Sequence, residues 1–202
     1  MQTIDYKGQL KKLYRATTSD VELVDVQPMN FLLIDGQGPH DASQEYQDAV
    51  DALLAAANAL KALIKRTESI DYAVMPLEAL WGSEAAGRFS LDRKADGKWS
   101  LMIHQPTPVT RKLYEKAMAD VKAKTPLAAL AKLRFESLHE GRAAQRLHVG
   151  PLGDAGPAVQ ALHDRIHAIG AKIAGRHHEI YLSDMRKAAP DKMRTLFRQP
   201  YV

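Results

Sequence analysis

Apolar and polar positions change their period several times along this chain, and each change marks an element. From Ser43 to Arg66, Tyr46, Val50, Leu53, Ala57, Leu60 and Ile64 return at helical spacing, with Asp48, Asp51 and Asn58 opposite. One apolar stripe of this kind predicts an amphipathic helix. Ser43 is its N-cap candidate, and Glu45 sits in the first turn, where a negative charge is favoured. Two further helices are predicted. One spans 109–124, with Leu113, Ala117 and Val121 inward, and ends before Pro126. The other spans 157–169, with Val159, Leu162, Ile166 and Ile169 inward and Gly170 able to cap its end.

Between the helices lie short apolar runs bounded by Gly and Pro, the mark of strands. They cover 21–27, 29–41, 70–82, 134–140, 143–149, 176–184 and 195–199. Residues 89–106 read as a hairpin turning at Ala95-Asp96-Gly97. Residues 1–20 read as irregular or briefly helical, and 127–133 and 190–193 as short helices. The order also echoes itself. A strand reaching Gly38-Pro39, a helix and a strand with Tyr72 and Glu78 are matched by a strand reaching Gly150-Pro151, a helix and a strand with Glu179 and Tyr181. This predicts an α+β fold of duplicated strand–helix–strand–strand units. Two antiparallel sheets, backed by helices, would flank a central cleft. The whole of 1–202 is then one domain, with halves at 20–106 and 134–200. Junctions of this kind are preferred ligand positions.

Composition narrows the chemistry. With 46% hydrophobic residues in 202, a real core is expected. There is no cysteine, which excludes disulfides, thiolate metal sites and thiol nucleophiles. No apolar run is long enough to span a bilayer. The opening MQTIDYKGQLKKLY lacks the apolar region of a signal peptide, so a cytoplasmic protein is expected. The net charge of +4 is spread over 28 basic and 24 acidic residues. The densest basic cluster, Arg186, Lys187, Lys192, Arg194 and Arg198, reads as solvated surface. No nucleic-acid reading motif accompanies it.

The stretch RHHEIYLSD, 176–184, carries the most chemistry. In a strand, His178, Ile180 and Leu182 share one face, and His177, Glu179, Tyr181 and Ser183 the other. Packing the Ile180 face on the helices leaves Glu179 and Tyr181, roughly 7 Å apart along the backbone, either in water or in a pocket. The adjacent histidines point to opposite faces and cannot chelate one ion. HDRIH, 163–167, has the spacing of a metal-binding helix, but Asp164 is shorter than the usual Glu and both histidines are expected in solvent. No metal and no cofactor is expected. In MPLEALW, 75–81, Glu78 near Trp81 offers a carboxylate beside an aromatic plane, a pairing suited to a cationic or planar ligand. Gly36 and Gly38 after a strand lack the third glycine of a dinucleotide loop.

The stretches YKGQLKKLY (6–14), NFLLIDGQG (30–38), YAVMPLEALW (72–81), QRLHVGP (145–151) and RHHEIYLSDMRKAAPDKMRTLFRQP (176–200) together resemble the GyrI-like small-molecule-binding family in its stand-alone, two-repeat form. The resemblance implies an aromatic-lined pocket with an acid inside. Carried over by motif, Glu179 is that acid and, with Tyr181, the candidate catalytic pair. Trp81 is a stacking wall, and Glu78, Tyr72, His148 and His177 are further ligand contacts. The expected partner is a small molecule, cationic or planar, with a role in drug or toxin resistance; nucleic acid and membrane are not expected. Some stand-alone relatives hydrolyse the cyclopropane of DNA-alkylating natural products, which makes a hydrolase the alternative. A sensor role would need a separate protein partner. The family pattern after HVGP has a tyrosine and an acid where this chain has Leu152 and Ala155. Asp154 is the nearest substitute for the acid.

Overall fold

The structure, a computed structural model, describes residues 1–38, 43–82, 97–124 and 126–202. Its strands are β1 (Gln2–Ile4), β2 (Glu22–Val26), β3 (Met29–Gln37), β4 (Ile70–Tyr72), β5 (Leu77–Trp81), β6 (Lys98–Gln105), β7 (Arg134–Leu138), β8 (Gly141–Val149), β9 (His177–Tyr181) and β10 (Arg194–Pro200). The helices are α1 (Tyr6–Gln9), α2 (Gln44–Thr67), α3 (Arg111–Lys124) and α4 (Gly156–Ala168). This is the expected α+β class. The run 70–82, read as one strand, breaks into β4 and β5 around Pro76. The first arm of the expected hairpin, with Ala95 and Asp96, lies outside the described residues, as does Pro39.

Among the described residues, eight strands form one antiparallel sheet in the order β2-β8-β10-β9-β5-β6-β3-β7. β1 and β4 make a separate parallel pair. Only Gln27 and Pro28 separate β2 from β3, yet β2 pairs with β8 and β3 with β6 and β7. Pro28 has no N–H to give a hairpin ladder, which favours the crossing. The mirrored case is β7 and β8, separated by His139 and Glu140, where β7 crosses to β3. Each half of the chain therefore lends its leading strand to the other. β5 and β9 meet at the middle, so the two sheets expected from the sequence run edge to edge into one.

Residues opposite one another in an antiparallel ladder point to the same face. Phe197, Glu179, Ala79, Leu101 and Ile34 are so aligned across the sheet. Against this front face α2 packs on Leu32, Ile34, Leu101 and Ile103, and α4 on Ala144 and Phe197. Ser43 accepts the Tyr46 N–H at α2's start. Each fully buried Leu or Ile of its stripe, such as Leu53, Leu60 and Ile64, contributes about 1.5–3 kcal/mol. Gly36 faces the same layer, and a β-carbon there would overlap the Trp99 ring. That close approach, not a nucleotide, accounts for the glycine. Gly170, with φ 73°, ends α4 as expected.

The helices back the face of Glu179 and Tyr181, the reverse of the sequence expectation. Ile180 is buried on the rear face, where Tyr14 and Ala16 of the N-terminal segment pack with Leu147 and Leu196. All five residues of β9 are buried, so polarity could not reveal which face met the helices.

Candidate functional site

On the front face, the Tyr181 hydroxyl donates to Glu179 Oε2 at 2.7 Å. Glu179 is fully buried and Tyr181 nearly so. Tyr46, from the first turn of α2, is hydrogen-bonded to Tyr181. Burial, then the Glu179 charge and the Tyr46 contact, push the Tyr181 phenol well above its ordinary pKa. Burial likewise raises Tyr46. Both phenols therefore remain protonated donors at neutral pH. His177 Nε2 lies 3.9 Å from Glu179 Oε1, and its ring tilts against Phe197.

Tyr46 and Tyr181 form part of the lining of a cleft of about 610 Å³ between α2 and the segment after β9. Its walls are apolar: Val50 and Leu54 from α2, Leu77 from β5, and Met75, Met185 and Met193. Methionines are soft and adjust to irregular partners. Asn58, Asp184 and Arg186 supply polar lining. Arg186 Nη1 reaches Asp51 Oδ1 of α2 at 3.2 Å, joining the β9–β10 connection to that helix. The cleft can thus hold a flat apolar body against two phenols, with a carboxylate behind them.

The rear face holds a second polar cluster. His178 Nε2 is 2.8 Å from Glu78 Oε2, and His178 Nδ1 is 2.9 Å from Glu140 Oε1. Arg198 Nη1 donates to Glu140 Oε2 at 2.8 Å, and Tyr14 donates to Glu78 Oε1 at 2.6 Å. Arg198 also donates to the Leu13 carbonyl, and Gln145 donates to the Lys12 carbonyl at 2.7 Å, tying down the N-terminal segment. Burial disfavours charge on His178, but Glu140 and Glu78 outweigh it and raise its pKa to about 9. Burial opposes Glu140's charge too, yet His178 and Arg198 bring its pKa down to about 2.

The predicted site residues are divided by this geometry. Glu179, Tyr181, His177 and Trp81 share the front face. Trp81 is buried opposite His177 and is not part of the cleft lining. Glu78 does not join Trp81, because three positions along a strand reverse the face; it belongs to the rear cluster. Tyr72 sits on β4, edge-on to Tyr6 at 6.1 Å, away from the cleft. His148 lies on β8, 5.9 Å from Phe197, with Nε2 2.9 Å from the Pro151 carbonyl. Arg198, read as solvated surface, is fully buried. His163, expected in solvent, is buried on α4. Among the described residues, no group of three or more His, Asp or Glu side chains is placed to hold a metal ion. Leu152 and Ala155 join the apolar cluster under α4, while Asp154 is exposed. Tyr46 was legible only as a member of an apolar stripe. Tyr14, Glu140 and Arg198 carried no local signal.

The GyrI-like small molecule binding domain model matches residues 19–199, and the chain belongs to that family. It is similar to three solved structures from Listeria innocua. An uncharacterised conserved protein is 35% identical, with 98% of this chain and 100% of that one covered and a TM-score of 0.88. A hydrolase is 32% identical over 98% of this chain and 100% of its own, with a TM-score of 0.85. A second hydrolase structure is 35% identical over 100% of both chains, with a TM-score of 0.87. A comparison with curated proteins finds no match. Among the described residues, no helix is long and apolar enough to cross a membrane.

Proposed function

We propose that this chain is a cytoplasmic small-molecule-binding protein of drug or toxin resistance, taking a flat aromatic or cationic compound in the cleft between α2 and β9. The observation that carries this is Tyr181, which lines the cleft and donates to a fully buried carboxylate behind it. Apolar walls exclude water from a ring system, and a charge behind the phenols favours a cation by attraction that low polarity strengthens. Glu179 and Tyr181 are the central pair, with His177 and Trp81 buried beside them on the front face. The mirrored strand order supports reading 1–202 as one domain of two units, 20–106 and 134–200. Equilibrium binding of rhodamine 6G, a flat cation, tests the reading. Saturable binding that weakens in Glu179→Gln supports it; no binding by the folded chain counts against it.

A hydrolase is the second reading, favoured by the two Listeria innocua hydrolases similar over the full chain. The substrate would be a cyclopropane-bearing DNA alkylator. Tyr181 would take a proton from water while passing its own to Glu179, as the water oxygen bonds to a ring carbon. The breaking carbon–carbon bond leaves its electron pair on the skeleton, which then takes up a proton. Strain in the ring lets positioning and one base suffice. Chromatography of such a compound, incubated with the unsubstituted chain and with Glu179→Gln, separates turnover from binding. Consumption only by the unsubstituted chain identifies the enzyme.

A further inference from the structure

His178 and Glu179 are consecutive residues of β9 that face opposite sides of the sheet, so the front site and the rear cluster share one strand. Strand β9 is also half of the seam with β5, where the two halves of the sheet meet. Glu78 comes from β5, His178 from β9, Arg198 from β10, and Glu140 from the turn joining β7 to β8. The cluster therefore ties both sides of the seam, directly behind Tyr181 and Glu179.

Each His178 nitrogen lies within 3 Å of a carboxylate oxygen, at 2.8 Å and 2.9 Å. A ring that donates from both nitrogens is an imidazolium. A neutral ring would set a lone pair against one carboxylate, and that contact would have to open. With the proton in place, two carboxylates are balanced by the imidazolium and the Arg198 guanidinium. The titratable and charged groups facing His178 from the elements around it are Glu78, Glu140, Arg198, Tyr14 and, from β6, His104. Burial lowers the pKa of His104, which leaves His178 as the histidine favoured to carry charge in this cluster.

We propose that protonated His178 is a positioning residue for the front site: its two hydrogen bonds tie β9 to β5 and to the turn joining β7 to β8, and losing the proton loosens the part of β9 that carries Tyr181 and Glu179. Its effect on ligand affinity rests on the proposed cleft function; its effect on the geometry of the front site does not.

The test follows the ring signals of His178, Tyr46 and Tyr181 by NMR in the full chain as pH is raised through about 9, beside rhodamine 6G affinity over the same interval. The phenols do not titrate there, since burial raises both. The Tyr181 signal is expected to shift with the His178 midpoint, and dye affinity to fall about tenfold, the scale of one lost buried hydrogen bond. In His178→Gln the Tyr181 step disappears and affinity is weak at every pH. The pH series on the unsubstituted chain guards against variants that fail to fold, and where Glu140→Gln folds it moves the His178 midpoint down and the Tyr181 midpoint must follow. A Tyr181 signal that stays fixed while His178 titrates overturns the proposal, as does a Tyr181 step that persists in His178→Gln. If the signals move together and no dye binds at any pH, positioning stands and the cleft reading fails.

Discussion

Tyr181 and Glu179 are joined by a 2.7 Å hydrogen bond on the front face of β9, with the phenol at the cleft and the carboxylate sealed behind it. Tyr181 is thus both a wall of the cleft and a partner of the buried acid. Replacing it with Phe keeps the ring and removes that donor from Glu179. A buried acceptor deprived of a partner costs about 1–3 kcal/mol. Urea denaturation of Tyr181→Phe is expected to show a loss in that range, while Glu179→Gln, whose amide oxygen still accepts from Tyr181, loses less.

The rear cluster makes stability depend on pH at both ends. The pKa of His178 is raised from 6.5 to about 9, so its contribution is complete below 6.5 and is lost as pH rises through 9. The Glu140 pKa is lowered from 4.5 to about 2, so its contribution is complete above 4.5 and is lost as pH falls through 2. Denaturant midpoints measured across pH should fall on both flanks. Glu140→Gln is expected to remove much of the acid flank and move the alkaline fall to lower pH.

Arg198 is the buried cation facing Glu140 from β10. Removing one member of a buried pair leaves the other charge stranded, a loss of about 3–5 kcal/mol. Arg198→Met is expected to fall in that range by chemical denaturation. Adding Glu140→Gln to it should cost far less than the sum of the two single changes, since the stranded charge is gone.

Gly36→Ala is expected to destabilise by about 1–3 kcal/mol, because the new methyl must displace the Trp99 ring from a packed layer. Tyr46 packs edge-on to Trp99 at 5.3 Å, so the disturbance reaches the cleft. Calorimetry gives the stability change, and tryptophan fluorescence reports the displaced ring.

Much of the fold was legible because periodicity reports burial. The α2 stripe, the Ser43 cap and most strands follow from residue spacing alone. Strand exchange did not, since nothing local in Gln27-Pro28 or His139-Glu140 says which partner the next strand will find. The meaning of RHHEIYLSD was half legible. Alternation assigned Glu179 and Tyr181 to one face and His178 to the other, but both faces are buried and the helices cover the more polar one. Glu78 and Arg198 are charged residues in otherwise ordinary strands. Their roles depend on pairing between residues 58 to 100 positions apart, which spacing along the chain does not express.

The central claim is that a ligand sits over Tyr46 and Tyr181. It is tested most directly by titrating rhodamine 6G into the chain and following assigned tyrosine ring signals by NMR. Saturable shifts at Tyr46 and Tyr181, with Tyr6 and Tyr72 unmoved, are the expected result. Saturable binding that leaves Tyr46 and Tyr181 unmoved would contradict it.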